Sequence, residues 1–115
     1  PFGSPSRFTP VCVGPSEGVF GGRNYTTLSR LLAGAPNRSV LVKMDIEGSE
    51  FGVLSGLGEA DWARIRSLHV EYHMNFGCLG AEEWAAVGRV LAVVRRNLAV
   101  VDAAAAYYPT ECSLA

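Results

Sequence analysis

The chain has 115 residues, 49% hydrophobic and 18% charged, a composition typical of one modest globular domain rather than a disordered segment. Its formal net charge of -1 gives no electrostatic basis for binding nucleic acid or an anionic membrane surface. No apolar run reaches the roughly 18–20 residues that a membrane-spanning helix needs. We therefore expect a globular domain with a single core.

The first residues differ in composition from the rest of the chain. Because the sequence begins Pro1-Phe2-Gly3 without an initiator methionine, we expect it to be a piece of a longer polypeptide. Residues 1–24 are rich in Gly, Pro and Ser and predict a loop-rich N-terminal remnant, in which Phe8 to Val13 form at most an edge strand. Residues 25–115 predict the α/β domain proper.

Two kinds of residue bear on the cellular compartment. The sequons that begin at Asn24 and Asn37 leave the secretory pathway open, with a cytoplasmic location as the alternative. Cys12, Cys78 and Cys112 show no metal-finger spacing, and an odd count cannot close completely into disulfides. We interpret them as buried thiols.

The first regular elements are predicted around the middle of the chain. Thr26 or Thr27 can cap a short helix that carries Leu28, Leu31 and Leu32. The stretch Val40 to Met44 is apolar and partly β-branched, which is typical of a strand buried on both faces. This central strand organises the rest of the prediction.

An acidic turn and a helix follow the central strand. Gly48 allows the backbone to turn, and Ser49 can cap a helix over about residues 49–57. In open α/β sheets, ligands bind outside the carboxyl ends of the strands. The densest acid cluster of the sequence, which begins at Asp45, is therefore predicted to lie at a ligand site.

The second half of the chain predicts three further strands and a long helix. The alternating residues 67–73 indicate a strand parallel to the central one. Ala81 to Asn97 predict the best helix, with an apolar stripe on one face. Leu98 to Asp102 and Thr110 to Ala115 predict a third and a fourth strand, and their short connection makes that pair antiparallel. The element order indicates an α/β domain with a largely parallel sheet and helices on its faces.

Five residues are candidates for chemistry. Asp45 directly continues the apolar run, where an unpaired charge is costly, so we interpret it as functional. Glu71 and His73 are predicted on the same edge of the sheet, at the end of the next strand. Glu47 and Glu50 are interpreted as solvated or helix-capping.

The second predicted strand offers a candidate metal site, but the sequence does not assign one. His69, Glu71 and His73 alternate on one strand face, about 7 Å apart, so two neighbours can share an ion but three cannot converge without a bend. A further ligand is lacking unless Asp45 supplies it. A metal-assisted hydrolase that uses Asp45, Glu71 and His73 therefore stays open as an alternative.

The central decapeptide carries a family resemblance. Val42 to Phe51, Val-Lys-Met-Asp-Ile-Glu-Gly-Ser-Glu-Phe, resembles the signature of FkbM-like and methyltransferase-like-24-type proteins, which are class I S-adenosylmethionine-dependent methyltransferases. Gly21 to Leu28, Ser67 to His73 and Glu111 to Leu114 are similar to flanking segments of that family, in the right order.

The resemblance implies a fold, a cofactor and a set of site residues. The fold is a partial Rossmann-like methyltransferase sheet, mostly parallel with a C-terminal antiparallel strand pair. By the resemblance, Asp45, Ile46, Glu47 and Gly48 bind S-adenosylmethionine, while Asp45, Glu71 and His73 are catalytic and face a small-molecule or sugar hydroxyl acceptor. The family's glycine-rich cofactor loop and ribose-binding acid are missing, so we expect this piece alone to be inactive. A non-catalytic, methyltransferase-derived interaction module is a further alternative.

Overall fold

The computed structural model describes residues 6–74 and 78–106, which form a mixed α/β fold in agreement with the predicted α/β class; the Rossmann-like sheet stays a prediction. No helix within these two ranges is long and apolar enough to cross a membrane. In chain order the elements are β1 (Cys12–Val13), β2 (Gly18–Phe20), β3 (Arg23–Thr26), α1 (Leu28–Leu32), β4 (Val40–Met44), α2 (Glu50–Ser55), α3 (Glu59–Arg64), β5 (Ile65–Val70) and α4 (Ala81–Asn97).

The centre of the fold is the parallel pair of β4 and β5. The register places Val42 opposite Leu68 and Met44 opposite Val70, which confirms the predicted parallel pairing. Helices α2 and α3 form the crossover between the two strands. β5 ends at Val70, three residues before the predicted end, because its partner strand ends at Met44 and the chain turns away there.

Only one face of this two-stranded sheet is covered. Met44 is buried and Val42 half-buried, whereas Leu41 is 71% exposed and Lys43 is also exposed. The prediction that Val40 to Met44 is buried on both faces is therefore wrong for the described residues. The physical reason is that the helices pack their apolar residues against the face that carries Val42 and Met44 and leave the face of Leu41 and Lys43 exposed.

The core lies between that covered face and the four helices. Its buried members are Leu28, Leu32, Met44, Val53, Leu54, Trp62, Ile65 and Val90. Helix α1 begins as predicted, because the Thr27 hydroxyl accepts a hydrogen bond from the Arg30 N–H at 3.1 Å. In α4, Val87 and Val90 are buried and Val94 packs against the core, whereas Trp84 at the start of the helix is 40% exposed.

A hairpin occupies residues that the sequence had predicted as loop. β2 pairs antiparallel with β3, and β1 pairs parallel with the other edge of β3. Gly21 and Gly22 have φ angles of 57° and 74°, which are typical of the two-residue turn of a tight hairpin. Phe20 and Tyr25 then contact edge to face across the strands.

The predicted third strand is absent from the described residues. Leu98 to Asp102 follow α4 without strand pairing, and Val101 is 94% exposed. A strand needs a neighbour for its backbone hydrogen bonds, and none of the described strands lies beside this segment. The predicted fourth strand, Thr110 to Ala115, lies outside the described residues, so the antiparallel pairing stays a prediction.

The cysteines differ from their prediction as buried thiols. Cys12 is a free, half-buried thiol in β1. Cys78 is exposed and disulfide-bonded, so the prediction is wrong for this residue, which lies in a surface loop rather than in the core. Cys112 lies outside the described residues.

Two leucines test where the core lies. We expect Leu54→Ala to lower the free energy of unfolding by about 2–5 kcal/mol, because Leu54 is 1% exposed and its loss leaves a cavity. Leu41→Ala is the matched control and should cost less than about 0.5 kcal/mol, since Leu41 is exposed. Urea denaturation followed by circular dichroism measures both. Equal losses in the two variants would contradict this assignment of the core.

Candidate active site

The site is built on the turn that joins β4 to α2. Glu47 and Gly48 have positive φ angles of 56° and 113°, so the chain reverses sharply after Asp45 and Ile46. Gly48 is the residue type that this geometry favours. The predicted turn at Gly48 is confirmed, and it leaves the peptide N–H groups of Ile46 and Gly48 pointing towards the start of α2.

The carboxylate of Glu50 binds those N–H groups. The Ile46 N–H donates to Oε1 at 3.0 Å, and the Gly48 N–H lies 3.0 Å from Oε2 and 3.2 Å from Oε1. Ser49 occupies the N-cap position of α2 as predicted, but its side chain makes no capping hydrogen bond. Glu50 therefore holds the turn from inside the helix that follows.

Glu50 is the acidic residue whose burial differs from the sequence-based interpretation. The solvated alternative is wrong, because its exposure is 0%, whereas its place in the first turn of α2 agrees with the helix-capping alternative. A signal was present in the spacing: Glu50 precedes Val53 and Leu54 by three and four residues, which places all three on one face of a helix. A carboxylate on a buried face calls for hydrogen-bonding partners.

His73 supplies the third partner of Glu50. Its Nδ1 lies 2.9 Å from Glu50 Oε1. On the other side of the ring, Nε2 lies 3.6 Å from Asp45 Oδ1 and 3.4 Å from Glu47 Oε2. Because the carboxylate accepts from Nδ1, the Nε2 side of the imidazole is directed to the two exposed acids.

Two contacts bring His73 to this place. The Glu71 N–H donates to the Met44 carbonyl at 3.0 Å, which continues the ladder by one bond beyond β5. The Tyr72 ring then stacks on Phe51 of α2, with ring centroids 5.0 Å apart and an interplanar angle of 20°. The segment after β5 is thereby fixed against the start of α2, where His73 reaches Glu50.

The protonation states follow from these contacts. Burial alone would raise the pKa of Glu50, but hydrogen bonds from its own backbone, His73, Gly48 and Ile46 outweigh it and lower the pKa. The hydrogen bond to Glu50 raises the pKa of His73 and outweighs the opposing effect of burial, and the charges of Glu50, Glu47 and Glu71 raise it further. Both shifts favour the charged pair.

The structure gathers the three predicted catalytic residues. Asp45, Glu71 and His73 each offer a donor atom, and these atoms all lie within 4.8 Å of one another. Asp45 and Glu71 are exposed, and His73 is half-buried. His69 is exposed on β5, where it pairs with Lys43, and does not belong to this group. The catalytic roles of the three residues stay predictions.

The predicted cofactor-binding residues have distinct positions. Asp45 and Glu47 are exposed beside His73, whereas the side chain of Ile46 packs against the core. The N–H groups of Ile46 and Gly48 are already engaged by Glu50. A ligand at this turn would therefore meet carboxylates rather than free backbone N–H groups.

Two grooves of the described surface lie elsewhere. One, of about 450 Å³, runs between α2 and α4 and is lined by apolar side chains such as Leu54 and Val90. A second lies along β1 and the hairpin. None of the three gathered donors lines either of these two grooves, and Asp45 and Glu71 are exposed, so the site is marked by the chemistry of its donors rather than by a groove.

Comparison with known proteins shows the family of the chain. Residues 24–98 match the family model of the methyltransferase FkbM domain. The 31-O-demethyl-FK506 methyltransferase FkbM of Streptomyces tacrolimicus is 50% identical over 40 residues, which cover 35% of this chain and 15% of that protein. The match thus spans a small part of the relative's length. No solved structure matches the chain significantly.

Glu50→Gln tests the buried carboxylate. The amide keeps the shape of the side chain but loses the charge that three donors share, so we expect a loss of about 1.5–3 kcal/mol in the free energy of unfolding at pH 5.5. Chemical denaturation in the presence of a chelator measures this loss. Glu59→Gln is the control, because Glu59 is exposed at the start of α3, and it should change stability little.

Wild type and Glu50→Gln should also differ in how their free energy of unfolding depends on pH. The pKa of Glu50 is lowered, so its contribution to stability is present above the ordinary value of 4.5 and is lost as the pH falls through the folded value. The pKa of His73 is raised, so its contribution is complete below 6.5 and is lost as the pH rises through the folded value. The difference between wild type and Glu50→Gln should peak between these limits. A difference independent of pH would count against the ion pair.

Two glycines test the conformation of the turn. Gly48→Ala should destabilise the protein by about 1–2 kcal/mol, because an L side chain is strained at a φ of 113°. Gly88→Ala, in the exposed middle of α4 with open space around it, should stabilise the protein by about 0.5–1 kcal/mol. Thermal melts compare the two. A stabilising Gly48→Ala variant would show that the turn is misassigned.

Proposed function

Because this chain belongs to the FkbM methyltransferase family, we propose that it takes part in methyl transfer from S-adenosylmethionine to a hydroxyl oxygen of a small-molecule acceptor. The family match over residues 24–98 carries this proposal. The gathering of Asp45, Glu71 and His73 at the carboxyl ends of β4 and β5 supports it, because ligands of open α/β sheets bind at that edge. The match favours methyl transfer over the hydrolase and interaction-module alternatives.

The charge of the site fits the methionine end of the cofactor. S-adenosylmethionine, when bound, supplies a methyl group on a sulfonium, already activated for transfer. The sulfonium and ammonium groups of that end are positive, and Asp45 and Glu47 present exposed carboxylates beside each other. Asp45 is the first residue after β4, so the strand fixes the backbone position from which its side chain extends.

The residues of this chain have two tasks in such a reaction. They align the acceptor oxygen with the methyl carbon, and they receive the hydroxyl proton as the oxygen–carbon bond forms and the carbon–sulfur bond breaks, its electron pair staying on sulfur. Asp45 and Glu71, and His73 when its ring is neutral, are the groups that can receive that proton. Glu50 acts on them as a positioning residue, since it fixes the ring of His73.

The relative's name supports oxygen as the acceptor atom. That Streptomyces protein is named as a 31-O-demethyl-FK506 methyltransferase, which describes methylation of an oxygen. We also propose that β4 and β5 belong to a larger, Rossmann-like parallel sheet. The exposed side chains of Leu41, Val100 and Val101 support this, because apolar residues of this size are normally covered.

Cofactor binding tests the proposal directly. We expect the intact full-length protein to bind S-adenosylmethionine in isothermal titration calorimetry, and Asp45→Asn to weaken binding by about tenfold or more, since a carboxylate facing a cationic ligand is lost. Asp102→Asn is the control, because Asp102 is exposed after α4 and is not among the three gathered residues, and the affinity of this variant should equal that of wild type. No binding of cofactor by the intact wild-type protein would contradict the proposal.

A further inference from the structure

We propose that Asp45, Glu71 and His73 form a binding site for one divalent first-row metal ion of the Mn²⁺ or Zn²⁺ type. Each contributes one ligand atom, and the three atoms lie within 4.8 Å of one another. They come from the ends of two hydrogen-bonded strands, so the backbone fixes their spacing. Among the described residues this is the group of His, Cys, Asp and Glu side chains close enough together to share an ion.

Small side-chain movements complete the geometry. Ligand atoms bound to one such ion lie about 2.0–2.2 Å from it and therefore about 3–4 Å from each other. The distances of up to 4.8 Å need to shorten by roughly 1 Å. Asp45 and Glu71 are exposed, so their carboxylates can rotate towards His73 without disturbing the core.

The environment of His73 points independently to a metal ligand. A histidine that binds a metal almost always donates its other ring N–H to a carboxylate, a backbone carbonyl or a water. Here Nδ1 lies 2.9 Å from the carboxylate of Glu50, which is 0% exposed and is itself held by the N–H groups of the turn. That arrangement leaves Nε2 for the ion and fixes the direction in which it points.

Charge also favours a dication. Asp45, Glu47 and Glu71 add three carboxylates to the buried one of Glu50. Three of these four acids, Asp45, Glu47 and Glu50, contact the ring nitrogens of His73. No lysine or arginine among residues 6–74 and 78–106 forms an ion pair with these acids. A divalent ion would offset the excess negative charge at its centre.

The ligand set selects the class of metal. One imidazole nitrogen and two carboxylate oxygens suit Mn²⁺, Fe²⁺ or Zn²⁺ better than Ca²⁺, which prefers oxygen alone. Three protein ligands leave coordination positions open. If the proposed methyl transfer holds, an oxygen of the acceptor would fill one of these positions, and the ion would orient it and lower its pKa. Binding of the ion itself does not depend on that function.

Mn²⁺ alone is the probe for the experiment, with the intact full-length protein. Calorimetric titration should show one saturable Mn²⁺ per chain, and pulsed electron paramagnetic resonance should show coupling of the ion to a ring nitrogen. We expect Glu71→Gln and His73→Gln each to weaken binding at least tenfold, and His73→Gln to abolish the nitrogen coupling. Glu50→Gln should weaken binding about 10–100-fold while keeping all three ligands.

His69→Gln is the matched control, since His69 is the other histidine of the chain and lies outside the cluster. It should bind Mn²⁺ like wild type. Glu71→Gln changes an exposed side chain, so it remains informative even if the Glu50 or His73 variants fail to fold. Absence of saturable binding in wild type, or equal binding by wild type and Glu71→Gln, would overturn the proposal. Binding of the cofactor without binding of Mn²⁺ would support the proposed methyl transfer and contradict the metal site. Binding of Mn²⁺ without binding of the cofactor would support the metal site and contradict the proposed methyl transfer.

Discussion

The buried carboxylate of Glu50 is the interaction on which the site depends. It accepts hydrogen bonds from two N–H groups of the turn and from the ring of His73, so three separate pieces of chain meet at one side chain. A charge with 0% exposure is tolerated only when it is paired and hydrogen-bonded, and here every partner is polar and close. Removing Glu50 would leave these donors without their shared acceptor, so the turn, the start of α2 and His73 form one unit.

The two strands explain why these residues meet. β4 and β5 are parallel, and both end at the same edge of the sheet, where the Glu71 N–H still bonds the Met44 carbonyl. Beyond that bond the segments that follow the two strands separate. One enters the turn at Asp45, and the other lies against α2, where Tyr72 stacks on Phe51. Backbone geometry thus carries acidic and imidazole groups to one place, within the range of residues that matches the family model.

Local patterns were sufficient for the parts of the fold that local residues determine. The apolar run of Val40 to Met44, the alternation that follows Ser67 and the glycine of the turn predicted the parallel pair and the shared edge of Asp45, Glu71 and His73. Burial of Glu50 required knowledge of which helical face is covered, which depends on tertiary packing rather than on charge. Two predictions are wrong for a related reason: that β4 is buried on both faces, and that a strand follows α4. Each needs a neighbouring element that the described residues do not supply.

The central claim is that Glu50 holds Nδ1 of His73 and so directs Nε2 to Asp45. The chain has two histidines, so the ring nitrogens of His73 can be assigned by ¹⁵N nuclear magnetic resonance on metal-free protein, at a pH high enough to leave the ring neutral. The account predicts a proton on Nδ1, in a hydrogen bond, and an unprotonated Nε2. A neutral ring protonated on Nε2 would contradict it.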